Sequence, residues 1–119
     1  KLVALPIPGR FFEFVWNRLG LVPIVWLIGR VYVFWSSDWM QPPLTKARGI
    51  TTIHDVSFLK FPYTFPLSLI AVQRRRLRRV TSACKKILCD SQATKEDVHT
   101  LLGISNDRLV VVYPGFTAL

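Results

Sequence analysis

Short apolar runs rich in β-branched residues alternate along this chain with stretches whose apolar side chains recur at helical spacing. The runs are Leu2–Ile7, Val31–Trp35, Ile50–Ile53, Ile87–Cys89 and Leu109–Tyr113. A strand wetted on one face alternates polar and apolar residues, whereas a strand buried on both faces reads as a continuous apolar run. Runs of this kind separated by helices predict an α/β fold: a parallel sheet with helices on both faces.

The intervening stretches carry their own start and stop signals. Phe11, Phe12, Val15, Trp16 and Leu19 recur at helical spacing and Gly20 follows as a stop. Pro23 to Ile28 predicts a second short helix closed by Gly29. Asp38 to Thr45, with two prolines, predicts a loop, and Phe58 to Pro66, with two prolines and four aromatics, a structured one. Leu67 to Cys84 contains neither Gly nor Pro and is the longest predicted helix, with an apolar stripe at Ile70, Leu77, Val80 and Cys84. Ser91 reads as an N-cap, with Glu96 and Asp97 following near the positive end of the helix. Val98, Leu101 and Leu102 share a face and Gly103 closes that helix.

Composition narrows the class. Of 119 residues, 50% are hydrophobic and 13% aromatic, which supports a core and excludes a disordered chain. Sixteen Lys and Arg against seven Asp and Glu leave a net charge of +9, so anionic partners are expected: phosphate groups, nucleic acid or an acidic membrane surface. Cys84 and Cys89 are too few for a disulfide framework and point to a reducing cytoplasm. The uncharged apolar stretch between Arg18 and Arg30 is eleven residues long and holds Pro23. That is about half of what a membrane helix needs. The first twenty residues lack the pattern of a signal peptide. The chain begins at Lys1 and ends soon after a strand-like run, and it reads as part of a larger protein.

Four features carry candidate chemistry. His54 and Asp55 stand at the carboxyl end of the run Ile50–Ile53, where open parallel sheets bind ligands. There an imidazole can meet a sugar hydroxyl or a phosphate. Equally, His54 can bond backbone and Asp55 can form a turn. Arg74, Arg75, Arg76, Arg78 and Arg79, with Lys85 and Lys86, place seven of the sixteen basic residues between 74 and 86. Arg74 with Arg78, and Arg75 with Arg79, are like-charge i,i+4 pairs, each costing roughly 0.2–0.5 kcal/mol unless an anion compensates. They read as a membrane or anion patch, or as a solvated helix face. Asp90 and Ser91 open a helix at a strand end, a place for an anion or a simple cap. In Trp35-Ser36-Ser37-Asp38-Trp39 the tryptophans can stack on a sugar or pack under the sheet edge. The chain has no GxGxxG, P-loop, GxSxG or HExxH, and no paired carboxylates that announce acid–base work. Nothing indicates a metal. Basic residues are not interleaved with aromatics as in an RNA-binding sheet, so nucleic acid is not the favoured partner.

Three segments resemble a known family. Thr52-Ile53-His54-Asp55-Val56-Ser57-Phe58-Leu59-Lys60-Phe61-Pro62 is similar to the "TIHD-x-x-F-x-x-x-P" segment of family 4 glycosyltransferases. Ile87 to Asp97 resembles that family's strand followed by Ser-x-x-Thr-Lys-x-Asp, and Val110 to Gly115 resembles its closing strand and turn. Together they cover roughly residues 31–115. Tyr63 stands where the family often has Glu, and Tyr32 where Asp is common.

The resemblance implies a GT-B architecture: two Rossmann-like domains facing across a cleft, of which this chain is part of the acceptor-side half. Residues 1–115 would be the partial N-terminal domain and 116–119 the start of the linker, with Gly115 as hinge. It implies a retaining enzyme that transfers a sugar from a nucleotide-sugar donor to a sugar or lipid-linked acceptor, without metal or other cofactor. His54 would be the catalytic residue, lining the cleft near the transferred sugar; Asp55, Ser91 and Trp39 would bind substrate. Arg74, Arg75, Arg78 and Arg79 would sit on an anionic membrane surface, placing the protein in the cytoplasm or peripherally at the inner membrane face. The donor-binding half is absent from the chain, so the chain alone is expected to be inactive. The competing reading is a non-catalytic basic module that binds nucleic acid or an anionic membrane.

Overall fold

The computed structural model describes residues 6–115. A helical turn, Gly9–Phe12 (α1), runs into a π-helical segment, Glu13–Leu19, and is followed by the short helix Val25–Ile28 (α2). Strands Val33–Ser36 (β1) and Arg48–Ile53 (β2) come next. The predicted loop at Phe58–Pro66 holds a single turn of helix, Ser57–Lys60 (α3), and a 3-10 turn, Pro62–Thr64. Helix α4, Leu67–Ala83, passes without a loop into β3, Cys84–Cys89, so Lys85 and Lys86 stand on a strand rather than on the helix. Helix α5, Gln92–Leu102, the 3-10 turn Asn106–Arg108 and strand β4, Leu109–Val111, complete the order. The expected strand Leu2–Ile7 lies mostly outside the described residues; Pro6 and Ile7 form a bend.

All four strands are parallel and lie in the order β1-β2-β3-β4. Register aligns Trp35 with Ile50, Thr51 with Ile87, and Ile87 with Leu109. Thr51, Ile53, Ile87, Cys89 and Leu109 therefore share one face, and all are buried. Ile70, Leu77 and Val80 of α4 and Val98 of α5 join the core cluster on it. A second cluster, Val15, Trp16 and Ile24 with Phe34, Met40 and Leu44, adjoins it under the first helices.

Helices were expected on both faces. Among the described residues they lie on one. The reason is handedness: parallel crossovers are right-handed, so a sheet that grows in one direction receives every crossover on the same side. Covering both faces requires a reversal of strand order. Consistently, Val33, Trp35 and Val110 on the other face are exposed.

Candidate functional site

Because β1, β2 and β3 run parallel, the segments that follow them emerge at one edge. They are Ser37-Asp38-Trp39 after β1, His54-Asp55 after β2 and Asp90-Ser91 after β3. The topology thus gathers one imidazole and three carboxylates at the carboxyl edge of the sheet.

His54 Nδ1 lies 2.5 Å from Asp90 Oδ2, with the ring 56% exposed. The hydrogen bond to Asp90 is the main cause that raises the His54 pKa above 6.5; partial burial opposes it, and the charges of Asp90 and Asp38 add to it. With Nδ1 engaged by a carboxylate, Nε2 is left to meet a ligand: as an acceptor when the ring is neutral, as a donor when it is charged. The His54 carbonyl accepts a hydrogen bond from Thr94 Oγ1 at 3.1 Å, so α5 holds this residue from behind.

Asp38 is held by α4. Arg76, 1% exposed, donates from Nε to the Ser37 carbonyl (3.2 Å) and from Nη2 to Thr51 Oγ1 (2.8 Å) and the Thr52 carbonyl (2.9 Å). Its Nη1 is 3.0 Å from Asp38 Oδ1. One guanidinium thus ties helix α4 to the ends of β1 and β2, using the planar fork that a lysine lacks. Burial raises the Asp38 pKa despite the opposing charge of Arg76. Burial also lowers the Arg76 pKa.

The other predicted site residues fall in several places. Asp55 Oδ1 accepts the Ser57 amide at 2.7 Å and shapes the turn into α3. Ser91 caps α5, its hydroxyl accepting the Thr94 amide at 3.1 Å. Trp39 is half exposed and lines a cleft of about 170 Å³ together with Asp38, Asp55, Phe58, Phe65 and Gln73. Trp35 is exposed on the open face and donates to Thr52 Oγ1 at 3.2 Å.

The arginine run does not form one patch. Arg75 pairs with Glu13 at 3.0 Å, and Arg79 donates to the carbonyls of Asn17 and Arg18 at the end of the π segment. Arg74 and Arg78 are exposed beside a groove of about 540 Å³ floored by Leu59, Leu77, Leu101 and Leu102. Asp97 turns from the helix start to pair with Lys60 at 3.0 Å. Gly115 is the last described residue, and 116–119 lie outside the described range. Both cysteines are buried and free, and burial pushes the Cys84 thiol up to about 11. Among the described residues no cluster of three His, Cys, Asp or Glu gathers to hold a metal. No helix among them is long and apolar enough to cross a membrane.

The model of Glycosyltransferase Family 4 matches residues 15–117. The chain belongs to glycosyltransferase family 4. No curated protein and no solved structure matches it. In this family 4 domain, sequence reasoning gave no site role of their own to Asp38, Thr94, Asn17 and Gln73, and it set Asp90 and Arg76 in other company. Asp90 was read only as part of a helix opening, because its partner His54 is 36 residues away. Arg76 was read with the basic run because it stands among four other arginines of the same helix. Periodicity was the usable signal: Arg76 and Gln73 lie four and seven residues before the core residue Val80, and Gln73, Arg76, Leu77 and Val80 share the buried side of α4.

Proposed function

We propose that this family 4 domain is the acceptor-side part of a retaining glycosyltransferase, which transfers a sugar from a nucleotide-sugar donor to a sugar or lipid-linked acceptor. A second Rossmann-like domain would hold most of the donor, and Gly115 would open the hinge between the two. The observation that carries the reading is the His54–Asp90 pair at the carboxyl edge of a parallel sheet, in a chain of this family. Asp90 fixes the ring through Nδ1, which leaves Nε2 to hold a hydroxyl of the transferred sugar or, when protonated, an oxygen of the departing diphosphate. Catalysis of this kind rests on positioning and on stabilising the charge of the leaving group. No step in it calls for a metal.

The test is nucleotide-sugar turnover by the complete gene product, read as nucleoside diphosphate released, for wild type and His54→Ala. The expected result is a fall in kcat of about 100-fold or more with little change in the midpoint of urea unfolding. Wild-type turnover by a folded His54→Ala protein would overturn the role.

A second reading is supported by Arg74 and Arg78, a like-charge pair with no side-chain partner among the described residues. An anionic membrane surface would compensate them. Co-sedimentation with vesicles containing anionic lipid, lost in an Arg74→Gln/Arg78→Gln variant, supports it; equal sedimentation of the variant rejects it.

A further inference from the structure

We propose that Arg18, Arg75, Arg78 and Arg79 form a site for a phosphate-bearing ligand, a phosphomonoester or diphosphate group, free in solution or on a lipid headgroup. The site does not rest on the sugar-transfer reading, because none of these residues stands at the carboxyl edge of the sheet.

Helix α4 follows β2 and passes directly into β3, so its last turns lie at the amino edge, opposite His54. Ser82 stands about 22 Å along the helix from Leu67. There the end of the π segment lies against α4, and the two enclose a cleft of about 410 Å³ lined by Asn17, Arg18, Arg75, Arg78, Arg79 and Ser82. Four of these six are arginines, and no carboxylate or apolar side chain stands among them.

The fold fixes two of the arginines and leaves each a free edge. Arg75 donates to Glu13 Oε1 from Nε at 3.2 Å and from Nη2 at 3.0 Å. Arg79 donates from Nε to the Asn17 carbonyl and from Nη2 to the Arg18 carbonyl, both at 3.4 Å. In each, Nη1 has no acceptor among the described residues. Gly20, at φ +69°, admits Arg79: a Cβ there would strike the guanidinium. Arg18 lies over the Phe14 ring, 5.6 Å from its centre. Neither Arg18 nor Arg78 has a hydrogen-bond acceptor for its guanidinium among the described residues.

Glu13 offsets one of the four charges, and the others face each other across the cleft. Arg75 with Arg78 and with Arg79 are like-charge pairs at i,i+3 and i,i+4, which repel. An anion between them removes that cost. A lone carboxylate brings one negative charge, whereas a phosphomonoester brings about two, and its oxygens fit guanidinium forks bidentately. Ligand pockets run to about 300–1,000 Å³, so the cleft has room for a diphosphate or for a phosphate with part of its ester. Its wholly polar walls do not suit an acyl chain or the apolar face of a partner helix.

The test is arginine modification by phenylglyoxal in the complete gene product, read residue by residue by peptide mass spectrometry in phosphate-free, low-salt buffer. One arm adds inorganic pyrophosphate; the other adds vesicles of phosphatidic acid in phosphatidylcholine. At about ten times its half-protecting concentration, pyrophosphate should slow modification of Arg18 and Arg78 together about tenfold, by mass action, and leave the exposed Arg10 and Arg30 unchanged. Paired protection of Arg18 and Arg78 by vesicles but not by pyrophosphate assigns the same site to a lipid headgroup. Arg78→Gln should raise the half-protecting concentration at Arg18 about tenfold, as befits loss of a hydrogen bond to a charged group. Ser82→Asp, which places a carboxylate in the cleft, should abolish the protection in a folded protein. Absence of protection by both probes overturns the site. So does equal protection of all exposed arginines, or protection of Arg74 and Arg78 without Arg18, which marks a flat surface contact. Protection at Arg18 that ignores both substitutions also overturns it. None of these outcomes bears on His54-dependent turnover.

Discussion

The His54–Asp90 contact couples a protonation state to the fold. Asp90 raises the folded pKa of His54 above 6.5, so the pair contributes stability fully below about 6.5 and loses it as pH rises through the raised folded value. Asp90→Asn should therefore lower the His54 pKa in an NMR titration. The stability difference between wild type and Asp90→Asn should be largest in mildly acid solution and shrink toward alkaline pH, as read by urea unfolding at several pH values. Arg76 differs in kind, because its partners are buried. Arg76→Leu leaves the Ser37 and Thr52 carbonyls and Thr51 Oγ1 without their donor. At about 1–3 kcal/mol for a buried group left unsatisfied, the expected loss is about 3 kcal/mol in urea unfolding, with Arg74→Leu near neutral as the control.

Elements meet here at close range. Strand β2 shifts register against β3 between Gly49 and Ile50. A Cβ on Gly49 would lie 2.7 Å from the Ala83 carbonyl oxygen and 3.1 Å from Cys84 Cα. Both are backbone atoms at the direct passage from α4 into β3, so neither yields easily. Gly49→Ala should cost about 1–3 kcal/mol, measured by thermal or urea unfolding. Ser91 caps α5 through the Thr94 amide, and Ser91→Ala should cost about 1 kcal/mol, with faster hydrogen exchange at Thr94 as the local sign. The π segment shows where a periodic reading stops. Helical spacing found Val15 and Trp16, and both are buried, but the wider turn also carries Asn17 inward, while Phe11 and Leu19 stay exposed.

At the scale of the molecule, the sheet among the described residues is covered on one face and has β1 and β4 as its outer strands. Hydrogen exchange should follow that geometry. Amides of the central strands β2 and β3, such as Thr51 and Ile87, should exchange slowest, and those of β1 fastest among the strands. Exchange of β1 as slow as that of β3 would mean that its open edge is covered in solution. The net charge of +9 is also redistributed by folding. Of the five arginines between 74 and 79, Arg75, Arg76 and Arg79 are engaged inside the fold, leaving Arg74 and Arg78 to any anionic partner.

The sequence by itself determined the four described strands, the main helices, the cap at Ser91, the stops at Gly20 and Gly103 and the place of His54 at a strand end. These follow from local rules: apolar continuity, helical periodicity, capping and turn chemistry act between residues a few positions apart. Through its motifs it also pointed to the family. Tertiary structure decided that Asp90 serves His54, that Arg76 and Gln73 hold Asp38, that Glu13 neutralises Arg75 and that the crossovers share one face. Those outcomes join residues 24 to 62 positions apart. Burial and partnership at such separations depend on where parallel strands bring their ends, and no local pattern encodes that.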